Sequence, residues 1–90
     1  MTRLSPHEAA VEASLIAYAL DQTPHAEEAY AAHCRAARCW ALIEQITRVA
    51  SVRDNALAKR QEHLLLSEDA VVRALAAKLG SVSESTKVLA

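Results

Sequence analysis

The chain has 90 residues and is 52% apolar, but 20 of those residues are alanine, so one small domain with a thin core is expected. One glycine, two prolines, no phenylalanine and a charged fraction of 23% exclude a turn-rich all-β chain and a disordered one, and they predict an all-α fold. A formal net charge of −1 supplies no overall attraction to nucleic acid or acidic membranes, and two cysteines do not make a disulfide scaffold.

The first helix is announced by Ser5-Pro6-His7-Glu8. Ser5 can cap, Pro6 suits the first helical position, and Glu8 can reach back in a capping box. Val11, Leu15 and Tyr18 then follow helical spacing, with Ile16 and Leu20 widening the apolar face, and the helix is expected to end near Asp21 or Gln22. Thr23-Pro24 opens a second helix, with Glu27 and Glu28 in its first turn where the partial positive charge favours them. These two helices form a hairpin.

No glycine or proline lies between Pro24 and Ser67, which leaves open whether residues 24–66 form one rod or two helices. A break is expected near Ser51-Val52-Arg53-Asp54-Asn55, where several residues of low helix propensity coincide and Asp54 can cap a third helix. Ser67-Glu68-Asp69 is read as the start of a fourth helix carrying Val71, Val72, Leu75, Ala76 and Leu79. Gly80 is placed to end it, and a short last helix is expected from Ser83 to Leu89.

The second helix carries the clearest periodicity: Ala29, Ala32, Ala36, Cys39, Ile43, Ile46 and Ala50 alternate spacings of three and four. With Trp40 beside it, this seam is broad enough for a bundle within one chain or for a dimer interface. Trp40 is expected at the edge of the core beside Ile43, and Tyr30 is a candidate for an exposed aromatic anchor.

No apolar run approaches the roughly 18 to 20 residues needed to cross a bilayer, so no membrane partner and a cytoplasmic location are expected. Cys34 and Cys39 are five residues apart, about 140° around a helix, and so are expected to stay reduced. The chain has no Cys-x-x-Cys or His-x-x-x-His pair, no phosphate loop and no nucleophile elbow. Neither metal, cofactor nor enzymatic chemistry is expected.

Charge is unevenly distributed. Residues 1–33 carry a net −4 and residues 34–90 a net +3. Such a split would place Arg53, Lys59, Arg60, Arg73, Lys78 and Lys87 near the phosphates of a duplex. Within this half, Leu75-Ala76-Ala77-Lys78-Leu79-Gly80-Ser81-Val82-Ser83-Glu84-Ser85-Thr86 supplies a small residue for a helix crossing, a glycine for a turn and a serine for a cap. Residues 53–89 thereby resemble the helix-turn-helix of small bacterial and phage DNA-binding regulators, whose pattern is Leu-Ala-x-x-Leu-Gly-Val-Ser-x-Ser-Thr. The departure is Ser81, one residue inserted between the glycine and the valine. The resemblance implies that Ser81, Ser83, Glu84, Ser85 and Lys87 face bases or phosphates, yet the recognition helix has no arginine for bidentate reading of guanine.

The expectation is therefore a single all-α domain over 1–90, a small helical bundle with an N-terminal hairpin over 5–50, a long second helix and a helix-turn-helix-like region over 54–90. As a function, it predicts a non-enzymatic regulator that binds double-stranded DNA as a homodimer through Ala32, Ala36, Cys39, Trp40, Ile43, Ile46 and Ala50. The other reading is a helical module, phage-encoded or antitoxin-like, that binds a protein partner and no DNA.

Overall fold

A computed structural model describes the backbone of residues 3–89 and the side chains as far as Gly80. The chain is an all-α bundle of three helices, α1 (Pro6–Asp21), α2 (Ala26–Ile46) and α3 (Ala50–Leu89). Ser5 has extended backbone angles and its hydroxyl accepts the Glu8 amide at 3.1 Å, so α1 begins where its cap dictates. At its end, the Gln22 and Thr23 amides return to the carbonyls of Ala19 and Leu20.

The second helix starts two residues later than Thr23-Pro24 predicts. Thr23 does not cap it: its hydroxyl donates back to the Leu20 carbonyl and receives the His25 amide, forming a turn that delays helix entry until Ala26. The break expected at Ser51–Asn55 falls at Thr47-Arg48-Val49 instead. Thr47 is extended, and its hydroxyl takes the Val49 amide from helical pairing. Ser51 to Asn55 are helical, and Asp54 caps nothing.

The largest departure lies further on. The predicted third, fourth and fifth helices are one helix of 40 residues. Ser67 does not cap a new helix, because its hydroxyl donates to the Leu64 carbonyl at 2.6 Å, which satisfies it in a helix interior. Gly80 adopts no positive φ and is an ordinary helical residue. At about 1.5 Å per residue, α3 accounts for the 62 Å long axis of the molecule. Residues 54–89 accordingly run as one continuous helix, without the turn and the second axis that the helix-turn-helix expectation requires.

Both α1 and α3 pack on α2, and polar side chains join α1 to α3 at Ser14–His63, Tyr18–Glu62 and Asp21–Arg73. The interior is built from small residues. Its buried apolar residues are Ala10, Ala13 and Ala17 of α1, Ala29, Ala36, Ala37, Trp40 and Ile43 of α2, and Ala56 and Ala70 of α3, among which Ala10, Trp40, Ile43 and Ala56 form one packed cluster. The buried positions of α2 are 29, 33, 36, 37, 40 and 43, so they include His33 and Trp40 where the sequence pattern chose Ala32 and Cys39. Ala32 and Cys39 are half-buried, while Ile46 and Ala50 are exposed, Ala50 being the first residue of α3. Ala36, Trp40 and Ile43 are buried within the single chain, so these three members of the expected seam present no surface to a second protomer.

Candidate functional site

Two features stand out from this frame: a polar chain through the interior and an apolar stripe on the outside of α3. Among the described residues, the largest fully buried side chains are His33 and His63. Their rings lie 5.0 Å apart, and their Nδ1 atoms meet at 2.8 Å. The Ser14 hydroxyl lies 2.8 Å from His63 Nε2, and the Trp40 Nε1–H donates to the same hydroxyl at 2.8 Å. At the other end, His33 Nε2 meets Asp21 Oδ2 at 2.8 Å, and the Arg73 guanidinium donates to Asp21 Oδ1 at 3.0 Å.

The chain thus links all three helices in the order Trp40, Ser14, His63, His33, Asp21, Arg73. Tyr18 stacks on His63 at 5.1 Å between ring centres, and its hydroxyl donates to Glu62 at 2.5 Å. Burial, reinforced by the bond to the Glu62 carboxylate, pushes the Tyr18 hydroxyl up to about 12. Burial is also the main cause that lowers the His63 pKa, with the facing His33 adding to it.

Hydroxyl, imidazole and carboxylate are the parts of a nucleophilic site, but Ser14 is 6% exposed and its oxygen is already held by the Trp40 N–H. The clefts around Tyr30, Pro24, Arg35 and Leu4 have neither Ser14, His33 nor His63 in their walls. The chain can carry protons and join helices. Among the described residues no three His, Cys, Asp or Glu side chains converge as a metal site would require. Cys34 and Cys39 are free thiols.

The second feature reverses the usual amphipathic order. Facing inward, α3 buries Ala56, His63, Ser67 and Ala70. Facing outward it shows Leu65, Val72, Leu75 and Leu79, exposed by 66, 63, 54 and 68%. Spacings of 7, 3 and 4 put these four on one coiled-coil seam, with Leu64 and Val71 along its flank. Leu64 also walls a groove of about 550 Å³ between α2 and α3, shared with Tyr30, Cys34, Arg38 and Arg60. On α1, Val11, Leu15 and Ile16 are likewise exposed.

Most of the basic residues expected to meet phosphates are engaged with acids. Arg73 pairs with Asp21 and with Asp69 at 3.2 Å, Lys78 with Glu27 at 3.1 Å, Lys59 with Glu62 at 3.8 Å, and Arg60 with Glu44. Arg53 is exposed. The side chains of Ser81, Ser83, Glu84, Ser85 and Lys87 lie outside the described residues, on the continuing backbone of α3. Periodicity alone placed none of Ser14, Asp21, His33 or His63 at a site. The available signal was slight: His33 follows Ala31-Ala32 inside the alanine-rich second helix, whereas His63 lies between Glu62 and Leu64 with nothing local to mark it as buried.

No family model matches the chain, and no curated protein and no solved structure matches it.

Proposed function

We propose that the protein is a small non-enzymatic interaction module that works through the outer stripe of α3, where it pairs with a second copy of itself. The observation that carries this reading is the reversal on α3: alanine, serine and histidine inside, leucine and valine outside. Contiguous exposed apolar surface of this kind marks an interaction site, since leaving it in water forgoes about 25 cal/mol per Å². The seven-residue recurrence of Leu65, Val72 and Leu79 matches the narrow seam that one helix presents to another. A net charge of −1 opposes self-association little.

Duplex DNA fits less well. The crossed helix pair that would enter a groove is replaced by one rod, and the ion pairs of Arg60, Arg73 and Lys78 would have to be given up. Sedimentation separates the two readings. At micromolar concentration the protein is expected at twice its 9.7 kDa, and the double variant Val72→Glu, Leu79→Glu at 9.7 kDa with unchanged helicity. A wild-type monomer overturns the pairing. Retardation of random duplex DNA that weakens steeply with added salt would favour the DNA-binding regulator instead.

A further inference from the structure

The buried chain has only one arrangement of protons that satisfies every group while both rings are neutral. Asp21 is a carboxylate beside a guanidinium and can only accept, so His33 Nε2 donates to it. A neutral His33 then has a bare Nδ1, and His63 Nδ1 must carry the hydrogen between the two rings. That leaves His63 Nε2 bare to accept from Ser14, whose oxygen in turn accepts from Trp40. The two histidines are therefore opposite tautomers, and the hydrogen bonds run in one direction from the indole to the carboxylate.

We propose that this chain is an acid-operated latch, which holds the bundle closed while His33 and His63 share no more than one added proton and releases it when both rings are charged. A first added proton is accommodated by reversing the chain. It enters at His63 Nε2, the Nδ1 proton passes to His33, and the resulting imidazolium faces Asp21. The Ser14 hydroxyl must then turn to another acceptor. A second proton has no place. Both Nδ1 atoms would carry hydrogens at a separation of 2.8 Å, two like charges facing each other where neither is exposed.

The surroundings do not relieve this. From α1 the rings face Ser14, Tyr18 and Asp21, and Trp40 of α2 is joined to them through Ser14. From α3, Glu62 and Lys59 act on His63 with opposite signs, and Arg73 already neutralises much of Asp21. Among the described residues, the buried apolar side chains beyond Trp40 and Ile43 are alanines, too small to take over from the pair.

The direction of the pH dependence follows from His63. Its pKa in the folded protein lies below the ordinary value of 6.5, so the unfolded chain binds more protons between the two. Stability is full above pH 6.5 and is lost as pH falls through the lowered value. Each proton taken up on opening multiplies the unfolding constant by about ten per pH unit within that window. The latch does not depend on the pairing of α3.

Trp40 is a built-in reporter, being the one tryptophan and a member of the chain. Urea unfolding followed by its emission, at pH values from 7.5 to 5, tests the proposal. The wild type is expected to lose stability below pH 6.5 by up to tenfold per unit for each proton. His63→Gln, which keeps a donor and an acceptor but does not titrate, is expected to lose much of that slope. The double variant His7→Gln, His25→Gln is expected to keep it, a necessary control because His7 lies edge-on to Trp40 at 5.6 Å. A flat wild type, an undiminished slope in His63→Gln or a flat control variant overturns the latch. If His63→Gln does not fold at pH 7.5, nitrogen NMR of the wild-type imidazoles decides. Opposite neutral tautomers at that pH, or one imidazolium beside one neutral ring, support the proposal, and like neutral tautomers or two imidazolium rings in the folded protein refute it.

Discussion

Ser14 is a small side chain with two buried neighbours that depend on it. It accepts the Trp40 N–H and donates to His63 in the neutral chain, so Ser14→Ala strands a buried donor and a buried acceptor together. Each stranded group costs about 1–3 kcal/mol. Trp40→Phe removes the donor along with part of the ring and leaves Ser14 its bond to His63, so it is expected to destabilise less than Ser14→Ala. Trp40→Ala opens a cavity among alanines that cannot collapse to fill it, at about 3–5 kcal/mol. Urea unfolding of the three variants at pH 7.5 checks this order. A Ser14→Ala protein as stable as the wild type would mean that the chain contributes nothing.

At the scale of the element, α3 is where local propensity and tertiary context part company. Gly80 satisfies the requirements of a turn, yet it stands in a helix with open space where a Cβ would project. Gly80→Ala is therefore expected to stabilise the protein by about 0.5–1 kcal/mol and to raise its helicity. In a turn at positive φ the same change would destabilise, so a thermal melt distinguishes the two backbones. For α1, Ser5→Ala removes the cap bond to the Glu8 amide and is expected to cost about 1 kcal/mol. The ion pair between Lys78 and Glu27 joins α3 to the first turn of α2, but both partners are largely exposed, and Lys78→Ala is expected to be nearly neutral in stability.

For the whole molecule, the alanine interior and the leucine exterior belong together. Alanine lets the helices approach closely, but it buries little apolar area, and the larger side chains are displaced to the outer faces of α1 and α3. A chain built this way gains stability by covering those faces. Its melting temperature is expected to rise with protein concentration, and Val72→Glu with Leu79→Glu to abolish that dependence without changing helicity at 25 °C. Differential scanning calorimetry over a hundredfold range of concentration reads both. A melting temperature independent of concentration in the wild type would contradict the pairing of α3.

Local chemistry was enough to establish the class and much of the hairpin. The alanine content, the scarcity of glycine and proline and the Ser5-Pro6 start signal act within one or two turns, and an all-helical fold beginning at Pro6 follows from them. The burial of Trp40 beside Ile43 was also legible, because bulk and apolar spacing agree there. What only the tertiary structure decided was which polar residues go inside and where helices stop. His33, His63 and Ser14 carry no apolar signal, and they are buried because groups from three separate helices satisfy one another's hydrogen bonds, a pairing that no single helix contains. Likewise Ser67 and Gly80 read as boundaries, but neither ends the helix: Ser67 finds an acceptor in the preceding turn, and the backbone at Gly80 stays right-handed. Capping and spacing are properties of neighbours along the chain, whereas burial of a polar group depends on partners 30 to 52 residues away, as His33–His63 and Asp21–Arg73 show.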